Sequence, residues 1–141
     1  MIVTSGGYAG AQTITGLQNI SFGTLGRSQQ VAVLPGNARA AQFRITGLLF
    51  LKLRMAISIT NLNRSDRTMT LTIRNSDCEY SLNNGSTWLP FTTGTLYQDL
   101  TLVSLLPSIY VRVGGTIATG ATQQRGNYSG AITLTVTKLG L

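Results

Sequence analysis

From Leu49 to Ile59 every second residue of the chain is large and apolar: Leu49, Leu51, Leu53, Met55, Ile57 and Ile59 share one side of an extended backbone, with Lys52, Arg54, Ser58 and Thr60 on the other. A helix cannot hold a period of two over that length, whereas a half-buried antiparallel strand requires it. The pattern returns in Ala41, Phe43 and Ile45 against Gln42 and Arg44, in Met69, Leu71 and Ile73 against Thr68, Thr70 and Thr72, and in Ile132, Leu134 and Val136 against Thr133, Thr135 and Thr137. No stretch has helical spacing over a useful length.

The remaining segments fit the same scheme. Ile14 to Leu25 carries Ile20 and Phe22 on one side, Val31 and Val33 precede a Pro35-Gly36 turn, and Leu100, Leu102, Ile109, Val111 and Val113 supply further strands. Asn84-Gly85 lies between "CEYSL" and "TWLPF" and tolerates positive φ at both positions, which predicts a tight hairpin. Gly114-Gly115 and Gly120 are read as permitting a reversal, and Gly126 and Gly130 as opening the last strand. Seven or eight strands with regular turn signals predict an all-β Greek-key sandwich. Its core is expected from Leu51, Leu53, Met55, Ile57, Met69, Leu71, Ile73, Val111, Val113, Ile132, Leu134 and Val136.

At 141 residues one domain suffices. The longest mainly apolar run, Leu48 to Leu53, contains Lys52 and falls far short of the ~20 residues of a spanning helix, so membrane insertion is not expected. The first residues, "MIVTSGGYAGAQ", have neither a basic nor a long apolar region, so a leader is either already removed or absent. Eleven Lys and Arg face only Asp66, Asp77, Glu79 and Asp99, a net charge of +7, yet the cations are scattered and without interleaved stacking aromatics. Nucleic-acid binding is therefore expected to be weak and non-specific, and the faint Tyr110-x-Arg112 pairing reads as a sheet surface.

The chain has no His, which removes the usual general base and the commonest zinc ligand, so no enzyme, metal or cofactor is expected. Asp77 and Glu79, two apart on a strand, are the best remaining carboxylate pair, read as a solvated edge beside Arg74. Cys78 has no internal partner and reads as a half-buried thiol, with an intermolecular bridge as the other reading. Asn19, Asn63, Asn84 and Asn127 each lead an N-x-S pattern and are candidate glycosylation sites on an outer surface.

"ISFGTL" at 20–25, "AAQFRITG" at 40–47, "VGGTI" at 113–117 and "GNYSGAITLTV" at 126–136 resemble a family of secreted bacterial domains of unknown function allied to chaperone–usher pilins and spore-coat-U-type domains. The resemblance covers nearly all of residues 13–137. It implies an immunoglobulin-like, pilin-like sandwich, incomplete and completed by a strand from a neighbour, exported to the cell surface as a fimbrial or fibre subunit.

A sandwich whose last strand is also the chain terminus exposes a sheet edge, and polymerisation by strand addition is one way to cover it. Residues 1–13 contain no Pro and no charge. They read either as a donor strand, with Ile2, Val3, Tyr8 and Ile14 entering a neighbour, or as a disordered terminus; residues 14–141 form the sandwich. Three functions stay open: a helical homopolymer built by donated strands, a monomeric secreted module that binds surface glycans through Trp88, Tyr80 and the Asn84-Gly85 hairpin, or a virion surface protein.

Overall fold

A computed structural model describes residues 2–5, 13–22, 30–59, 62–64, 67–118 and 131–139. In chain order the strands are β1 (Ile2–Ser5), β2 (Thr13–Gln18), β3 (Gln30–Val33), β4 (Ala41–Thr46), β5 (Lys52–Ile59), β6 (Leu62–Arg64) and β7 (Arg67–Thr72). After a 3-10 turn at Asn75–Asp77 come β8 (Cys78–Ser81), β9 (Leu89–Pro90), β10 (Tyr97–Thr101), β11 (Ser108–Val113), β12 (Gly115–Ala118) and β13 (Ala131–Lys138). The all-β sandwich is borne out.

One layer is the sheet β1-β13-β5-β10. The other is β2-β4-β11-β8-β9, continued by β3-β12-β7-β6. The continuation follows from the registers. β11 and β12 run on through Gly114, β4 and β3 pair along one side of that line, and β8 and β7 pair along the other. Gly114-Gly115 therefore does not reverse the chain, contrary to the sequence reading. The flanking lines make excursions at this level instead, at 34–40 and 73–77, and the Gly114 amide donates to the Asp77 carbonyl at 2.8 Å.

Among the described residues the two layers enclose one apolar cluster. Leu53, Met55, Val111, Val113, Ile132, Leu134 and Val136 are fully buried, and Ile57, Leu71 and Ile73 nearly so, as alternation predicts. Leu51 is a correction. It shares the parity of Leu53 but sits at a bend before β5 and is 41% exposed, its carbonyl taken by the Leu102 amide. Met69 lies in β7, but its side chain is outside the described residues. Ile20 and Phe22 are buried although the first long strand stops at Gln18, after a bulge between Gly16 and Gln18. The Gln18 side-chain amide donates to the Ala40 carbonyl at 2.8 Å and the Ser21 amide to the Arg39 carbonyl at 2.9 Å, so that segment stays anchored after the ladder stops.

Among the described residues no helix is long and apolar enough to cross a membrane.

Candidate functional site

Alternation on β11 buries Ile109, Val111 and Val113 and turns Ser108, Tyr110 and Arg112 outward. On β8 the same rule buries Cys78 and Tyr80 and leaves Glu79 on the outer face. Register then does what neither strand specifies alone, setting Arg112 directly opposite Glu79. The guanidinium donates from Nε at 2.7 Å to Glu79 Oε1, and Nη2 lies 2.6 Å from the same oxygen. With both side chains only about a fifth exposed, this pair is sheltered far more than an ordinary surface ion pair.

The guanidinium has further neighbours. Its carbon stands 4.0 Å from the centre of the Trp88 ring, a cation–π contact. A Cβ added to Gly36 would lie 3.6, 3.8 and 3.9 Å from Nη2, Cζ and Nη1, so the Pro35-Gly36 turn faces the plane of the group. That turn is closed by the Asn37 amide donating to the Leu34 carbonyl at 2.9 Å. Leu34, Pro35, Gly36, Asn37, Glu79 and Arg112 together line an open depression of about 440 Å³. Its polar groups come from two strands and its apolar wall from the excursion between β3 and β4.

The binding residues expected from sequence divide here. Trp88 is half-buried beside the site, but Tyr80 is a core residue, 8% exposed and 6.1 Å from the Phe91 ring, with its hydroxyl pKa raised by burial. Asn84 and Gly85 do take positive φ, 58° and 84°, yet they form the tip of a seven-residue connection at 82–88, not a two-residue hairpin. Buried Ser81 explains the width. Its hydroxyl accepts from the Gly85 amide at 2.8 Å and donates to Asn83 Oδ1 at 2.9 Å, holding the loop open from within.

Asp77 and Glu79 do not act as a pair. Asp77 Oδ2 accepts from the Arg74 amide at 2.9 Å to close the 3-10 turn, while Glu79 is committed to Arg112. Tyr110 stands opposite Arg44 and Ser81 on the outer face. A second surface cluster joins Arg54 to both carboxylate oxygens of Asp99, at 2.6 and 3.0 Å, with the guanidinium 4.2 Å from the Tyr97 ring centre. Those hydrogen bonds hold the Asp99 carboxyl below its ordinary pKa. Among the described residues no three of His, Cys, Asp and Glu gather as a metal would need.

Ile2 and Val3 lie in β1, which pairs in parallel with β13 of the same chain, Ile2 beside Ala131 and Val3 beside Ile132. Tyr8 is outside the described residues. Ile14 faces Ile45 across β2 and β4 and is 8% exposed in the chain's own core. β2 starts at Thr13. Of the candidate acceptors, Asn19 and Asn84 are exposed, Asn84 Oδ1 accepting from the Ser108 hydroxyl at 3.2 Å. Asn63 is in β6, its side chain undescribed, and Asn127 is outside the described residues.

Cys78 is fully buried, not half-buried, and its thiol pKa is pushed up to about 12 by burial, with Asp77 adding to the effect. A thiol held neutral at pH 8 is a poor nucleophile. Native protein is accordingly expected to leave a disulfide-exchange reagent unreacted at pH 8, with one thiol appearing on denaturation. Stoichiometric reaction of folded protein would place Cys78 at the surface. The sign for stability is fixed as well: the neutral thiol supports the fold below about pH 9, and that support declines between about pH 9 and 12, where only the unfolded chain ionises.

Residues 3–137 match the family described as Domain of unknown function (DUF4402). No curated protein and no solved structure matches the chain.

Proposed function

The chain belongs to the DUF4402 family, and from that premise we propose that it is a structural, non-enzymatic subunit of an extracellular filament, akin to pilins, built head to tail through its N-terminal segment. The observation that carries this reading is the position of β1. Among the described residues, the outer edge of the last strand is covered by four, in parallel pairing from Ile2 beside Ala131 to Ser5 beside Leu134. Parallel pairs are slightly weaker per residue than antiparallel ones, and a four-residue edge strand is a light cover. The same segment from a neighbour makes equivalent main-chain hydrogen bonds on the same edge, so exchange between copies costs little.

A second feature supports the same geometry. The crossovers 47–51 and 102–107 lie side by side at the end of the sandwich where β5 begins and β13 ends. They expose Leu49, Leu51, Val103 and Leu105, with Val103 fully open to solvent. An apolar cluster of this kind marks a contact surface. β1 starts at the opposite end, where Ala131 and Ile132 lie near Ile59. Contacts between unlike ends do not close, and they propagate a fibre.

The test uses the whole chain and a variant lacking residues 2–12, which leaves β2 intact. The intact chain is expected to form filaments of regular axial repeat in electron microscopy. The truncated chain is expected to keep its β-sheet circular dichroism and form none. Filaments of unchanged repeat from the truncated chain, or an intact chain that stays a monodisperse monomer at high concentration, would overturn the reading.

A further inference from the structure

The geometry points to the depression beside Arg112 as a binding site for a neutral polyol, a pyranose ring presenting two hydroxyls. This assignment does not rest on polymerisation.

The hydrogen-bonding inventory carries the argument. Arg112 spends Nε and Nη2 on a single oxygen, Glu79 Oε1. Among the described residues, Glu79 Oε2 and Arg112 Nη1 are engaged in no hydrogen bond. A carboxylate oxygen only accepts and a guanidinium nitrogen only donates. The site thus offers an acceptor on the carboxylate and a donor on the edge of the guanidinium that points away from it, both held in place by the ion pair. Two hydroxyls of one sugar ring match this arrangement, because one donates to Oε2 while another accepts from Nη1.

Charge and shape narrow the ligand further. The guanidinium is already matched by Glu79, so a bound anion would meet the carboxylate at short range and gain little. A neutral ligand meets no such penalty. Leu34, 68% exposed beside the buried Pro35, offers an apolar wall suited to the C–H face of a sugar ring. At about 440 Å³ the depression falls in the range of small-ligand sites. Gly36 leaves one face of the guanidinium open where a side chain would cover it.

Trp88 is the chain's only tryptophan and touches Arg112, so its fluorescence reports on this site without a label. The probes are methyl α-mannopyranoside, methyl β-glucopyranoside and methyl β-galactopyranoside, with sodium acetate and sodium sulfate at matched ionic strength. At least one glycoside is expected to give a saturable change with a dissociation constant on the order of millimolar. Two variants are expected to weaken that glycoside at least about tenfold. Gly36→Ala puts a methyl over the guanidinium at ordinary contact distance, and Glu79→Gln replaces the accepting carboxylate with an amide of the same shape. Their thermal melts separate a lost site from a lost fold; should Glu79→Gln unfold, Gly36→Ala decides alone. No response to any glycoside up to about 100 mM, stronger binding of acetate or sulfate, or unchanged affinity in a folded Gly36→Ala variant would each overturn the assignment.

Discussion

Replacing Gly114 with alanine is expected to destabilise the protein by about 3 kcal/mol or more, a large share of the stability of a domain this size. The cause is a close approach of backbone, not a special dihedral angle. A Cβ at Gly114 would lie 2.1 Å from the Val33 carbonyl oxygen and 3.0 Å from both the Leu34 carbonyl carbon and the Pro35 nitrogen. None of these atoms can rotate away. Relief requires β3 to move off β12, where Val33 pairs with Gly115 and is itself buried. Gly115 provides the internal comparison. Its added Cβ would meet the end of the Leu71 side chain at 3.0 Å and stand 3.3 Å from Ile73 and from the Thr72 carbonyl oxygen, a much smaller overlap with main chain than at Gly114. Urea denaturation of both alanine variants should therefore show the larger loss at Gly114. A loss below about 1 kcal/mol there, or equal losses at both positions, would mean that β3 does not cross at this point.

Truncating Leu134 to alanine is expected to cost about 2–5 kcal/mol, the range for a fully buried leucine whose cavity the surroundings only partly fill. Leu134 sits at the middle of β13 opposite Ile57, and both belong to the apolar cluster shared by the two layers. The change also bears on assembly, because β1 ends beside Leu134 on the other edge of the strand. Equilibrium unfolding of the isolated chain measures the core contribution. A loss under about half a kcal/mol would mean that β13 presents its opposite face to the core.

Much of the core was legible because a strand's in-and-out alternation is a local property. Once Leu53, Met55 and Ile57 are known to share a face, the burial of all three follows from any sheet with one dry side. Alternation fails where strands end. Leu51 keeps the parity of Leu53 yet is exposed, since the chain has already bent toward the next layer. It also cannot foresee buried polar groups that organise loops. Ser81 widens the connection at 82–88, and Gln98 Oε1, in a side chain 7% exposed, accepts from the Thr92 amide at 2.7 Å and the Thr93 amide at 3.3 Å.

The sequence by itself determined the class of fold, the membership of most strands and the side of each that turns inward, because all of these follow from patterning along one short segment. Register and strand order belong to tertiary structure, because they depend on which distant segments meet. Arg112 and Glu79 are 33 residues apart and carry no mark of each other; they become a sheltered pair only when β11 aligns with β8. Gly36 acquires its place over the guanidinium only when the excursion between β3 and β4 folds beside them. The same distinction governs the N-terminal segment. Its composition shows that it can form a strand, but only the assembled sheet decides that it lies in parallel on β13, with the edge it covers set by the other end of the chain.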